Sequence, residues 1–438
     1  MTLHSLLLMG ALAAEPTPVP APAPAPAAGT APAPAPADEE EPPPSFTGKS
    51  PPPLPREPRS AAAPGFELPD AANYQEYKDL PYPHGTYLGA KYLQLDPAFV
   101  YGVQQGLEFL YLRKYTDARD HFAKLEVAFP GTAVRAIGDT LVWQALMLEN
   151  FDFRYDKQYW TSSKQAKKDV AAALDVPGTE AWDHLAMAAI TGIESIHTMR
   201  QASYVSALQL AFQAIDQIEK CRAAAPDFVD LKLADGMYNY WRTVVTMSSK
   251  MLPDFGDHRP EGIEQMTLVQ DQGIFMRPLA SFALAFTWIE EHDYRRATIA
   301  CSRNRRYYPD NVVNNLICAQ IYVYDRKFPE ALEVLDRVTT VDATNSRVHY
   351  LRGWALLRQG SDMPRAQAEL TTFLKAEYLE QYQRSLGHYR LGQVYARQEQ
   401  YPKAVENYQA SVKLDGNKEA KAALDKLDAR KKEGKISY

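Results

Sequence analysis

The chain has 438 residues, of which 46% are apolar and 23% charged, and a formal net charge of −6. That balance suits a folded polypeptide and argues against a nucleic-acid binder, which needs a basic surplus to neutralise phosphates. No apolar run reaches the roughly 18 residues that a membrane-spanning helix requires, so no transmembrane span is expected.

In chain order, residues 1–14, MTLHSLLLMGALAA, read as a signal peptide. Leu6–Met9 form the apolar centre, and Ala11, Ala13 and Ala14 supply small residues for cleavage, although no Lys or Arg precedes them. The expectation is export to a periplasm-like compartment, or a cytoplasmic protein if that signal is not functional. Residues 15–64 alternate proline and alanine around the acidic run Asp38–Glu41. Such a stretch forms neither helix nor ladder and is expected as a disordered linker, spanning on the order of 100 Å at about 3.1 Å per residue. Residues 65–97 hold Tyr74, Tyr77, Tyr82, Tyr87 and Tyr92 beside Pro81 and Pro83, and are expected as an irregular cap.

Residues 98–131 carry small residues Gly106 and Ala118, followed by Phe122 and Pro130. From 132 to 277 a helical period persists without a fixed repeat length, with helices expected near 133–150, 163–175, 180–199, 203–224, 228–250 and 260–271. Two groups in this block bear on chemistry. Asp254, Asp257 and His258 are candidate metal donors, but hard-cation sites need more carboxylates at alternating positions, so a helix-capping loop is expected. Glu194 and His197 form half of a di-iron motif that has no second copy, and are read as a solvated helix face. No phosphate loop or nucleophile elbow is present. The expectation is therefore no catalytic residue, no metal and no cofactor. A metal-binding or enzymatic protein using residues 190–262 stands as the competing reading.

The strongest order lies in residues 278–418. Ala285, Ala319 and Gly353 recur at 34-residue intervals and Gly392 continues the series, each followed twelve or thirteen residues later by an alanine: Ala297, Ala331, Ala366 and Ala404. Small residues at this spacing mark where paired helices approach most closely, and Trp288, Tyr322, Leu356 and Tyr395 complete each buried stripe. One such pair cannot bury its apolar face alone, so the pairs stack. Residues 419–438 read as a capping helix and tail. Cys221, Cys301 and Cys318 fall on buried stripes and are expected as free core thiols.

These positions resemble the tetratricopeptide-repeat family, most closely through Leu391, Gly392, Tyr395, Ala404 and Tyr408. Gly416, where the closing proline would stand, and Cys301, in place of an aromatic, depart from that pattern. The resemblance implies an all-α, right-handed superhelical α-solenoid and a non-enzymatic scaffold that binds a protein or extended peptide in its concave groove. Carrying the groove offsets across selects Tyr324, Arg347, Tyr350, Trp354, Arg358, Tyr389, Arg390 and Arg397. Rings supply apolar contact there while arginines clamp carboxylates or carbonyls. Gly236, Tyr238, Tyr240, Gly256, Asp257 and Gly262 further resemble the signature of a bacterial exported subfamily. An envelope complex is the partner this implies.

Overall fold

The computed structural model describes residues 81–174, 178–248 and 256–437. The signal, the linker and Asp254 lie outside the described residues. Among those described, eighteen helices follow one another without a strand. Helix α1 (Thr86–Leu93) leads into eight hairpins. They are α2 (Pro97–Tyr111) with α3 (Tyr115–Ala128), α4 (Val134–Asn150) with α5 (Asp156–Ala173), and α6 (Glu180–Arg200) with α7 (Tyr204–Ala224). Next come α8 (Leu231–Ser248) with α9 (Arg259–Gln272), α10 (Arg277–Glu290) with α11 (Tyr294–Tyr307), and α12 (Val312–Tyr324) with α13 (Phe328–Val341). The last are α14 (Ser346–Gln359) with α15 (Met363–Leu374), and α16 (Gln381–Arg397) with α17 (Tyr401–Asp415); α18 (Lys418–Lys432) closes the stack.

The hairpins share one local chemistry. Most first helices end in a left-handed residue, as at Arg113, Ala202, His292, Arg326 and Glu399. The next N–H then reaches five residues back, as from Lys114 to Phe109 O and from Asp293 to Trp288 O, which satisfies carbonyls the helix leaves open. Helix starts are held by side chains: Asp293, Asn311, Asn345 and Asp362 each accept an N–H three residues on. Within hairpins the small residues sit at the crossing. A Cβ on Gly106 would fall 2.3 Å from the Phe122 ring and one on Gly392 2.6 Å from Tyr408. Gly353 opposes Leu370 in the same way, and Ala118, Ala285, Ala297, Ala319, Ala331, Ala366 and Ala404 are completely buried.

The stack coils tightly enough for its second turn to rest on its first. The N-cap of α12, Asn311, donates to the carbonyl of Tyr111 at the end of α2. The N-cap of α14, Asn345, donates to the carbonyl of Glu149 at the end of α4, and Ser346 N–H to Asn150. The N-cap of α16, Glu380, pairs with Arg200 at the end of α6. Each contact joins a hairpin to the fifth one after it. In the first two a helix start donates to open carbonyls at a helix end; in the third the helix start supplies the carboxylate and the helix end the guanidinium, the charges each terminus favours. Tyr308 also donates to Glu108, and Tyr82 to the Phe275 carbonyl.

Several expectations change. The cap at 65–97 is not irregular where described: α1 packs through Gly89 against Ile274. The helix expected from 163 begins at Asp156, with Tyr159 completely buried in its first turn. Cys301 and Cys318 are not free thiols but form a disulfide between α11 and α12, leaving Cys221 as the free cysteine among the described residues.

Candidate functional site

The selected groove residues lie on the first helices of the last three hairpins and form one strip of rings and guanidinium groups. Arg347 opens it, stacked 4.5 Å from the Phe151 ring and 5.2 Å from Tyr350, and donating to Gln383. Tyr324 meets Trp354 edge to face at 5.0 Å. Arg390 lies 4.8 Å from Trp354 and 5.0 Å from Tyr389. Arg397 donates to the Leu357 carbonyl at the far end.

Burial divides the strip in two. Arg347, Tyr350 and Trp354 are buried, because α4 lies against α12 and α14 and delivers Phe151 onto Arg347. Tyr324, Arg358, Tyr389 and Arg390 are partly exposed and Arg397 is exposed. The chain itself thus fills the end of the groove beside the helix starts, while the end beside Arg358, Arg390 and Arg397 reaches solvent. Among the described residues no carboxylate pairs with Arg347, Arg358, Arg390 or Arg397, and Arg390 Nε finds no acceptor. Burial lowers the basicity of Arg347. Glu380 acts on the charge of buried Arg347, so the positive charge the strip offers beside its rings is that of Arg358, Arg390 and Arg397.

The middle block has a different content. Glu194 and His197 are not on a solvated face, for both are buried. Glu194 accepts from Ser163 at 2.5 Å and pairs with Lys167 at 2.8 Å. His197 meets Asp156 at 2.6 Å and is held 4.2 Å from the Tyr159 ring, where burial lowers its basicity. Asp257 holds Arg259 at 2.8 Å, and that hydrogen bond brings its carboxyl down to about 2. His258 pairs with Glu261. Each described candidate donor thus has a local partner, and among the described residues no three such side chains converge as metal ligands would. Gly236 and Gly262 mark the crossing of α8 and α9: a Cβ on Gly262 would fall 2.6 Å from Gly236 O. Tyr240, beside this crossing on α8, donates to Glu291 at the end of α10 at 2.7 Å.

Sequence reasoning missed the residues that close the superhelix, Asn311, Asn345 and Glu380. The 34-residue interval between the two asparagines was a readable signal for repeated caps, but nothing local points to partners so far back.

The tetratricopeptide-repeat family pattern matches residues 319–362 and 385–418. Among solved structures the chain is similar to yeast Tom70, at 13% identity and a TM-score of 0.41, over 80% of this chain and 85% of that one. It is also similar to the TPR domain of P58(IPK), at 12% identity and a TM-score of 0.26, over 77% and 99% of the two chains. No curated protein matches in sequence. Residues 319–362 and 385–418 are tetratricopeptide repeats, set in a stack of like-built hairpins.

Proposed function

We propose that the protein is a non-enzymatic interaction scaffold whose inner strip binds an extended, acidic segment of a partner protein. The observation that carries this reading is Arg390, partly exposed between Trp354 and Tyr389, with no carboxylate paired to it among the described residues. A partner carboxylate would supply the missing counter-charge at the exposed part of the guanidinium, and the neighbouring rings would cover its flanking apolar atoms. Because Phe151 already covers Arg347, the partner enters from the end marked by Arg358 and Arg397. Trp354 is 4% exposed and packs in the core, so its loss would disturb the fold as well as binding.

The compartment follows the same reading. A leader over residues 1–14 and a Pro/Ala linker suit an envelope complex, and a Cys301–Cys318 disulfide fits an oxidising compartment. Amino-terminal sequencing of the native protein is expected to start after Ala13 or Ala14; a chain that still begins at Met1 removes the envelope assignment. For the strip, crosslinking pulldown from the native cell is compared between wild type and an Arg358→Glu, Arg390→Glu pair. The pair is expected to lose the main crosslinked protein while melting as wild type does. An unchanged partner set rejects the strip as the binding surface.

A further inference from the structure

At each other junction of the described stack, the second helix of a hairpin packs on the first helix of the next one. The pair α7 and α8 is the exception: they meet only around their joining turn, where Arg222 pairs with Asp235 at 2.7 Å. The apolar core divides at the same place, one cluster including Leu231 and the next starting at Leu233. Among the described residues, the face of α7 that a following hairpin would otherwise cover is left without a helix against it.

That face is apolar. Ala207, Ala211 and Ala214 are buried beneath α7, toward its hairpin partner α6. On the outer side Val205 is 74% exposed, Leu208 38% and Phe212 39%, with Ile215 partly exposed after them. Their spacing of three, four and three residues is that of a helix seam made to meet another helix. Three large exposed apolar side chains in line are more than scattered surface residues.

The flanks decide what fits. From Ser203 to Ile215 the chain has no charged residue, and the exposed neighbours are Ser206, Gln209 and Gln213. An acidic or basic partner finds no complement there, and a lipid surface would be met through flanking Lys or Arg. A face without charge suits its own copy, because a two-fold contact sets each residue near its equivalent and like charges would repel. We infer that α7 pairs with α7 of a second copy of this chain about a two-fold axis near Leu208 and Phe212. The seam is short, so the association belongs to the weak, concentration-dependent class.

Sedimentation velocity on the full chain tests this. The wild type is expected to rise toward twice the monomer mass as concentration increases through the micromolar range. A Leu208→Glu, Phe212→Glu pair is expected to stay monomeric at concentrations at least tenfold higher, whereas Ile299→Glu, which places the same charge on another exposed apolar residue, dimerises as wild type. A wild type that is monomeric throughout, or a dimer that survives the double charge, overturns the inference. Should the glutamates unfold α7, Gln209→Cys decides in their place: a covalent dimer on mild oxidation supports the two-fold pairing, and its absence rejects it.

Discussion

The last four hairpins and the block from α4 to α9 are built from the same unit, yet they are held together differently. In the last hairpins, small residues recur at fixed intervals and meet side chains: Gly353 faces Leu370, and Gly392 faces Tyr408. In the middle block the helices are longer, reaching 21 residues in α6 and α7. There Gly236 and Gly262 meet backbone, and the α6–α7 hairpin holds the next turn through Arg200 instead of packing on α8. A sequence period therefore reports packing between neighbours. It is lost in the middle block, where helices are longer and glycines meet backbone.

The sharpest way to break that contrast is to remove Glu380. Its pair with Arg200 is buried on both sides, at 5% and 2% side-chain exposure, and Arg200 also donates to the Asp152 carbonyl. Glu380→Ala leaves a buried guanidinium without its counter-charge, which costs about 3–5 kcal/mol. Urea unfolding measures the loss, and small-angle scattering is expected to show a larger radius of gyration as the turns part. An unchanged radius with an unchanged midpoint would mean that the turns do not depend on this contact.

A second substitution compares the two kinds of glycine directly. A Cβ on Gly262 would fall 2.6 Å from Gly236 O and 2.8 Å from Tyr240 N, so α8 and α9 must separate to admit it. Gly262→Ala is expected to cost about 3 kcal/mol. At Gly392 the obstruction is the Tyr408 ring, which can turn aside, so Gly392→Ala is expected to cost about 1 kcal/mol. Equal losses in chemical denaturation would remove the distinction between the regions.

What could be read beforehand follows the same division. Ala285, Ala319 and Gly353 announce themselves because close helix crossing tolerates little else. The ring and arginine types of the inner strip were legible at Tyr324, Trp354 and Arg390. The burial of Arg347 was not, since it depends on Phe151 arriving from α4. Asn311 and Asn345 are readable as caps, but their amide groups also bond carbonyls 200 and 196 residues earlier. For Cys301 and Cys318 the helices were foreseen while the bond was not, because a disulfide needs geometry that spacing cannot supply. Glu194 and His197 lie on a real helix, yet their surroundings come from α5.

The smallest effect concerns the contact between turns at Tyr308, which donates to Glu108 at 2.6 Å. Burial pushes the Glu108 carboxyl up from 4.5 to about 7, so the folded chain holds that proton more tightly than the unfolded one. Its contribution to stability is complete below pH 4.5 and is lost as pH rises through 7. Buried Asp230, pushed up to about 6, acts with the same sign, so the wild type alone does not isolate Glu108. Glu108→Gln keeps an acceptor for Tyr308 and cannot ionise. The variant is expected to match wild type at acid pH and to exceed it by about 1 kcal/mol at pH 8, a value below the full shift because the site is partly open to water. Thermal melts of both proteins across this range measure the difference, and parallel curves would show that Glu108 carries no proton linkage between the turns.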